Sequence, residues 1–137
     1  MRITHEADYA VRIVYDLMKS GGTVSARTLA EHTGVTLRFT LKILNKLSAG
    51  NIVSSTKGAS GGYRLEMDPN ELSMGHIIEC IDGPFELNHC LSSDFDCTRV
   101  GDKNICAFHH IFNDMTRRLK EEFYSIKMSR FVQNTQE

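Results

Sequence analysis

The feature that most constrains the fold is a series of short helical segments followed by a glycine-rich turn between two β-prone stretches. Apolar residues recur at three- and four-residue intervals over residues 4–20, and Gly21-Gly22 ends that segment. This spacing predicts an amphipathic helix. Ser25 is placed to cap a second, short helix that ends at Gly34.

A third helix is predicted to open at Val35-Thr36 and to stop at Ala49-Gly50-Asn51. Its apolar and basic residues fall on different sides of the helix. The predicted buried side carries Phe39, Ile43, Leu44 and Leu47, and the predicted outward side carries Arg38, Lys42 and Lys46. Two helices joined by a glycine-containing turn, the second of them basic, predict a helix-turn-helix.

The segment after this pair of helices predicts a β-hairpin. Residues 52–57 and 63–66 are β-prone and flank Gly58-Ala59-Ser60-Gly61-Gly62. A hairpin directly after a helix-turn-helix is a wing, and its glycines allow the backbone to approach a phosphate chain closely. The alternative is that these glycines only permit a turn. A nucleotide-binding P-loop is disfavoured because its Gly-Lys-Ser/Thr ending is missing.

Charge is distributed unevenly along the chain. Residues 1–67 hold nine Lys or Arg against five Asp or Glu, whereas residues 68–137 hold seven against twelve. A basic half indicates contact with a polyanion, although a solvated surface explains this modest excess equally well.

Three cysteines, Cys90, Cys97 and Cys106, are followed by His109 one helical turn after the last. Residues 88–104 have the composition of a loop, and such a loop offers little core in which to bury thiols. The spacing is too open for the knuckles of structural zinc and suits a larger iron-sulfur cluster. The alternative is that these cysteines act as small buried hydrophobes. Cys80 lies in an apolar helical segment and is predicted to be packed there.

A long helix is predicted after Cys106. Its apolar residues recur at three- and four-residue spacing, namely Phe108, Ile111, Met115, Leu119, Phe123 and Ile126. A helix of about 30 Å is too long to be covered by a small winged-helix unit, so we expect a partner helix, with an ordinary intrachain core as the alternative. His89 and His110 are predicted to face solvent, and either is an alternative ligand if His109 does not bind.

The N-terminus lacks the apolar stretch of a signal peptide, and no window approaches the length of a membrane span. We therefore expect a reduced, cytoplasmic protein without membrane contact. No arrangement of nucleophile, base and orienting group can be traced, so neither an enzyme nor a small-molecule substrate is expected.

Several motifs together resemble those of bacterial winged-helix iron-sulfur transcription regulators, such as IscR and NsrR. The resemblance rests on the opening Met1-Arg2-Ile3-Thr4, on Asp8-Tyr9-Ala10-Val11-Arg12, on the wing Gly58 to Leu65, and on Cys106-Ala107-Phe108-His109. It covers nearly the whole chain, and the second gap between cysteines is longer than is usual in that family. It implies a homodimeric repressor in which three cysteines of each subunit hold a cluster that senses redox, nitric oxide or iron-sulfur status.

The resemblance leaves two candidates for the fourth ligand. His109 matches the histidine of one type of member, and Asp8 of the partner subunit matches the carboxylate of another. Cys106 and His109 fall on one helix face, and a histidine ligand favours [2Fe-2S], whereas the aspartate would accompany [4Fe-4S]. We favour His109. Asp8 can instead simply favour the helix dipole.

The sequence therefore predicts a mainly α fold with a small β-hairpin, in one compact chain rather than two independent domains. Residues 1–67 form the winged helix-turn-helix, and residues 68–137 form the cluster-binding loop and the dimerisation helix.

The predicted partner is a double-stranded DNA operator. Its expected contacts are Thr36 and Arg38 at bases, Phe39 at a thymine methyl or else in the core, Lys42, Ser55, Lys57 and Ser60 at phosphates, and Gly61 through its backbone. The alternative function is a cluster-free regulator of the same fold, controlled by thiol oxidation or by a partner protein.

Overall fold

The computed structural model describes residues 2–93, 97–99 and 101–133. The predicted loop over residues 88–104 is therefore described in part, and residues 94–96 and 100 lie outside the described residues. The elements are α1 (His5–Ser20), α2 (Ala26–Thr33), α3 (Leu37–Ala49), β1 (Val53–Thr56), β2 (Gly62–Leu65), α4 (Met74–Asp82), α5 (Ala107–Ser125) and α6 (Ser129–Gln133), with short 3-10 turns at His89–Leu91 and Lys103–Ile105. The predicted mainly α fold with a small hairpin is confirmed.

Hydroxyl caps begin each of the first three helices. The Thr4 side chain accepts a hydrogen bond from the backbone N–H of Ala7 at 3.1 Å, and Ser25 and Thr36 each accept from the residue three positions on. These caps satisfy backbone donors that no helical carbonyl reaches. Gly21 and Gly34 end α1 and α2 with φ of 70° and 75°, a conformation that L side chains rarely adopt. The predicted helix boundaries are confirmed.

One hydrophobic core connects the two halves of the chain. α1 and α3 contribute the completely buried residues Ala7, Ala10, Ile13, Val14, Ile43, Leu44 and Leu47. Leu72, Ile77, Ile81 and Met128 from the second half belong to the same cluster. Because α4 lies against α1, a displacement of α4 is resisted by packing against the winged helix-turn-helix.

The hairpin is antiparallel and pairs Val53 with Leu65 through to Thr56 with Gly62. A bridge between Val24 and Tyr63 joins it to the segment before α2, with backbone hydrogen bonds of 2.8 Å in both directions. A Cβ at Gly62 would lie 2.5 Å from the Val24 carbonyl oxygen, so glycine permits this approach. The wing is therefore attached to the helical unit by its second strand.

The C-terminal half of α5 is anchored on α4. The Tyr124 hydroxyl donates a 2.7 Å hydrogen bond to Glu79, and the ring lies so close to Gly75 that a Cβ there would collide with it. Phe123 stacks on Phe85 with 5.2 Å between ring centroids. Burial, and the hydrogen bond and charge of Glu79, raise the pKa of Tyr124 to about 12. Among the described helices, none is long and apolar enough to cross a membrane.

The predicted apolar stripe of α5 divides into a covered and an uncovered part. Phe123 packs within the chain, whereas Phe108, Ile111 and Met115 are 71%, 57% and 48% exposed. The intrachain alternative therefore holds for the end of the helix. The first half of the stripe is uncovered by the described residues of its own chain.

A histidine side chain takes part in the cap of α4. Ser73 accepts a hydrogen bond from the His76 backbone N–H at 3.2 Å, and His76 Nδ1 accepts one from the Ser73 N–H at 3.1 Å. Burial, helped by the charge of Lys127 and opposed by that of Glu79, lowers the pKa of His76 below its ordinary 6.5.

We expect this histidine to make stability depend on pH. The folded state favours neutral His76, so its stabilisation is complete above pH 6.5 and is lost as the pH falls through the lowered value. The urea midpoint should be lower at about pH 5 than at about pH 7.5, and His76→Gln, which retains an acceptor, should reduce that difference. His5→Gln at an exposed position serves as the control. An equal pH dependence in His76→Gln and the unaltered protein would contradict this assignment.

Candidate nucleic-acid interface and cysteine cavity

α3 presents a basic face to solvent. Arg38 and Lys42 lie one turn apart on it and are exposed, as is Thr36 at its N-terminal cap. Ile43, Leu44 and Leu47 are completely buried on the opposite side. A helix held in this way by its apolar side can enter a major groove with its free side, which is the geometry of a recognition helix.

The wing carries the other predicted contacts. Ser55, Lys57 and Ser60 are all exposed. Gly58 has φ of 110°, and a Cβ at Gly61 would collide with the backbone of Thr56 and Lys57. The turn itself thus requires Gly61, and a contact of its backbone with DNA stays a prediction.

Phe39 lies partly in the core. Its ring is half-buried and meets Tyr9 edge to face, with centroids 5.9 Å apart. This packing fixes the start of α3 against α1. The predicted contact with a thymine methyl is untested, and the ring has only its exposed part to offer for it.

Two charged residues of this surface were not singled out from the sequence. Arg64 on β2 is exposed, and its Nε donates to Ser54 Oγ at 3.4 Å. Its position in the wing was a sufficient signal to find it. Glu6 of α1 binds the ammonium groups of Lys42 and Lys46. No local pattern indicated this contact, because the partners are 36 and 40 positions away along the chain.

The three cysteines and His109 line one cavity of about 700 Å³. His109 Nδ1 lies 3.4 Å from Cys90 Sγ. All four side chains are half-buried, so they reach the cavity without being sealed in the core. The cavity is also lined by Asn88, His89, Thr98, Arg99, Lys103, Phe108 and Phe112.

Local structure explains how residues so far apart in sequence meet. Cys90 lies in the 3-10 turn His89–Leu91, and Cys106 is the N-cap residue of α5. His109 follows within the first turn of α5 and faces the cavity next to Cys106. A helix N-terminus carries partial positive charge and favours anionic ligands. Arg99 and Lys103 add positive charge along the wall, and Lys103 Nζ also donates to the Ser92 carbonyl at 3.1 Å.

The donor set has the chemistry of an iron-sulfur cluster site. Within the described part of the chain, no three His, Cys, Asp or Glu side chains come close enough together to hold one metal ion. The thiols and the imidazole instead surround a volume many times that of an ion. Thiolates and histidine are the ligands that iron-sulfur clusters use, with different side chains on different irons.

Of the other candidate ligands, His89 also lines the cavity, whereas Asp8 and His110 do not. Asp8 is exposed in the first turns of α1 and pairs with Arg12 at 3.2 Å, and it is absent from the lining of the cavity in its own chain. Its role as a ligand from the partner subunit stays a prediction. His89 and His110 are exposed, as expected from the sequence.

Cys80 is separate from this cavity. Its Sγ donates to the Lys46 carbonyl at 3.3 Å and lies against Gly50, in contact with the core. Burial raises the pKa of the Cys80 thiol, although the charge of Lys46 opposes this. The prediction that Cys80 serves packing is confirmed.

The helix pair, the basic face of α3 and the attached hairpin define a winged helix-turn-helix protein. Residues 3–134 match the Rrf2 family, described as iron-dependent transcriptional regulators. The chain belongs to this family of transcriptional regulators.

Individual relatives agree with this assignment. The HTH-type transcriptional regulator IscR of Escherichia coli O1:K1 is 29% identical over 136 residues, which span 98% of this chain and 82% of that protein. The structure of IscR from T. potens has a TM-score of 0.73 at 22% identity, covering 98% of this chain and 88% of that one. CymR, the global cysteine regulator of B. subtilis, has a TM-score of 0.77 at 20% identity and 98% coverage of both chains.

Proposed function

We propose that this protein is a homodimeric DNA-binding repressor whose operator affinity is changed by an iron-sulfur cluster, held by Cys90, Cys97, Cys106 and His109. The observation that carries the proposal is the grouping of these four side chains around one cavity at the start of α5. Because one ligand is an imidazole, [2Fe-2S] is favoured over [4Fe-4S]. Its site of action is the cytoplasm.

The cluster would supply redox-dependent chemistry and would tie three separate segments together when bound. Cys90 belongs to a short turn, Cys97 to a loop, and Cys106 and His109 to a helix. Ligation by all four residues would restrain the loop relative to α5. Loss of any ligand, or of the cluster itself, would release that restraint.

The uncovered stripe of α5 supports a second copy of the chain as partner. Phe108, Ile111 and Met115 are exposed at three- and four-residue spacing on α5, and Ile105, just before the helix, is 74% exposed. A contiguous patch of exposed apolar side chains often marks an interaction site. A two-fold pairing of α5 helices covers this stripe on both subunits with one interface.

Dimer geometry connects the cavity to DNA. Two recognition helices must meet successive major grooves, about 34 Å apart, so their separation determines affinity. The cavity lies at the N-terminal end of the helix that would pair with its partner. A change at the cavity therefore changes the base of the dimer and the tilt of the two DNA-binding units.

Two substitutions test the assigned DNA contacts. Lys57→Ala should weaken binding to every duplex similarly, since a wing lysine contacts phosphate. The salt dependence should become weaker, with the magnitude of the slope of log affinity against log salt smaller by about one. Arg38→Ala should reduce the free-energy difference between the preferred base and the other bases, at one base pair of the operator, by about 1–3 kcal/mol. The reason is that a recognition-helix arginine contacts a base edge. Fluorescence anisotropy with duplexes selected from a random pool measures both effects.

The control for both substitutions is Arg118→Ala on α5. Arg118 is exposed and pairs with Asp114 at 3.0 Å, on an element that the proposal places away from DNA. If Arg118→Ala reduced affinity as much as Lys57→Ala, the effect would be one of net charge and the assignment of the wing would fail.

Anaerobic purification with visible spectroscopy and iron and sulfide assays tests the cofactor. Two irons and two sulfides per chain support the preferred cluster, and four of each would move the assignment to [4Fe-4S]. Colourless, iron-free protein that responds fully to its signal would support the alternative, a regulator controlled by thiol oxidation or by a partner protein. The likeness to CymR, described as a global cysteine regulator, makes this a specific alternative.

A further inference from the structure

The first turn of α1 holds a carboxylate against the recognition helix. Glu6 Oε1 lies 2.8 Å from Lys46 Nζ, and Glu6 Oε2 lies 3.5 Å from Lys42 Nζ. The Glu6 side chain is only 16% exposed, whereas those of Lys42 and Lys46 are 59% and 40% exposed. A shielded carboxylate thus binds two ammonium groups that remain accessible to solvent.

Contacts of Thr4 hold the first turn of α1, which carries Glu6. The Thr4 N–H donates to Asp82 Oδ2 at 3.2 Å, and the Thr4 hydroxyl donates to Asp82 Oδ1 at 2.5 Å. Thr4 also caps α1 by accepting from Ala7 N–H. The first turn of α1 is therefore attached both to its own helix and to the end of α4. Glu6 meets the lysines without having to order a flexible segment.

Glu6 is ionised at neutral pH. Burial acts to raise its pKa, but the hydrogen bond and charge of Lys46, and then those of Lys42, outweigh burial and hold the pKa below its ordinary value. A full negative charge thus lies beside the surface that meets a polyanion.

We propose that Glu6 is a positioning residue that competes with DNA phosphates for the ammonium groups of Lys42 and Lys46 and so limits DNA affinity. This inference rests on the proposed function, because it takes α3 as the recognition helix. An ammonium group that pairs with phosphate releases condensed counterions from DNA, whereas one that pairs with Glu6 does not. DNA binding must therefore exchange one anionic partner for another.

The two lysines differ in how readily they can be exchanged. Lys42 is the more exposed, has the longer contact with Glu6, and lies one turn from Arg38 on the outward face of α3. Lys46 has the shorter contact and the less exposed side chain. Lys42 should leave Glu6 first, and Lys46 should then retain the carboxylate in place.

The test is Glu6→Gln in the full chain, with a fluorescent duplex of mixed sequence and about 30 base pairs as the probe. Glutamine retains the size and an acceptor oxygen but removes the charge. We expect affinity to rise about three- to tenfold near 100 mM salt, and the salt dependence to steepen by about one phosphate contact. A purely structural role would leave that slope unchanged. The urea midpoint is measured on the same samples.

Glu79→Gln is a matched control. Glu79 is also 16% exposed and pairs with a lysine, Lys120, at 3.3 Å, but it joins α4 to α5 rather than to the recognition helix. The same substitution there should leave affinity and slope unchanged. In a Lys42→Gln background, the gain from Glu6→Gln should shrink, because the main released cation is gone.

Suppose that the unaltered protein binds the duplex in a salt-dependent manner. Unchanged or weaker binding by folded Glu6→Gln would then overturn this inference and leave the proposed function intact. An equal gain from Glu79→Gln would overturn it as well, because net charge would then be the cause. Absence of duplex binding by the unaltered protein at low salt is a different result, because it would remove the proposed function itself.

Discussion

Replacement of Cys106 by alanine is expected to leave anaerobically prepared protein without its iron, its acid-labile sulfide and its visible absorption. Cys106 lies where the loop enters α5, and it lines the same cavity as Cys90, Cys97 and His109. Loss of a residue that only supports a metal ligand commonly costs 10- to 100-fold in metal affinity. Loss of a direct ligand should exceed about 100-fold.

The same variant should also lose the switch. If the cluster restrains the start of α5, then Cys106→Ala should bind its operator with one affinity before and after reconstitution, whereas the unaltered protein should show two. Iron and sulfide assays together with anisotropy on the selected operator measure both properties.

Cys80→Ala is the control for this experiment. Cys80 contacts Lys46 and Gly50 and does not line the cavity, so this variant should retain colour, iron content and switching. If the Cys106→Ala variant retained its full iron content, the cavity would not hold the cofactor through this thiol. Loss of iron with an intact switch would separate the cluster from regulation.

Introduction of glutamate at both Ile111 and Met115 is expected to convert the proposed dimer to a monomer. These side chains are 57% and 48% exposed, and neither lines the cysteine cavity. In a two-fold interface the pair of substitutions places four carboxylates in an apolar contact. Hot-spot residues near the centre of an interface cost about 2 kcal/mol or more when truncated, so loss of one on each subunit should raise the dimer dissociation constant at least about 100-fold. Operator affinity should fall with it, because one recognition helix then binds alone.

Sedimentation equilibrium over a range of concentrations measures this dissociation. Asn113→Glu adds one carboxylate, half the charge of the double variant, at an exposed position of the same helix outside the stripe, and should leave the dimer unchanged. Because the substituted side chains face solvent in the single chain, the urea midpoint extrapolated to low protein concentration should change little. A monomeric unaltered protein, or a double variant that stays dimeric, would refute α5 as the dimer helix.

Both experiments concern α5, whose beginning and end have different environments. Its last turns are fixed to α4 through Tyr124, and Phe123 stacks on Phe85 just after α4. Its first turns border the cavity and carry the uncovered stripe. One end of α5 is fixed within the chain and the other borders the cavity. Such a helix is suited to transmit a local change at the cavity to a dimer interface.

Sequence by itself determined the succession of elements and most of their boundaries. Hydroxyl caps at Thr4, Ser25 and Thr36 and the glycines at 21 and 34 act within one turn of the chain, so their effect can be read from neighbouring residues. The hairpin follows from two β-prone runs around glycines, for the same local reason. The resemblance to iron-sulfur regulators indicated the family in advance of the fold.

Tertiary structure alone decided which distant residues meet. The pairing of Glu6 with Lys42 and Lys46, the packing of Phe39 on Tyr9, and the division of the α5 stripe each depend on how whole helices lie against one another. The same holds for the cavity, because Cys90 and His109 are 19 positions apart and meet only when α5 folds back beside the 3-10 turn. Periodicity identifies the faces of a helix, but only the packing of the chain determines what covers each face.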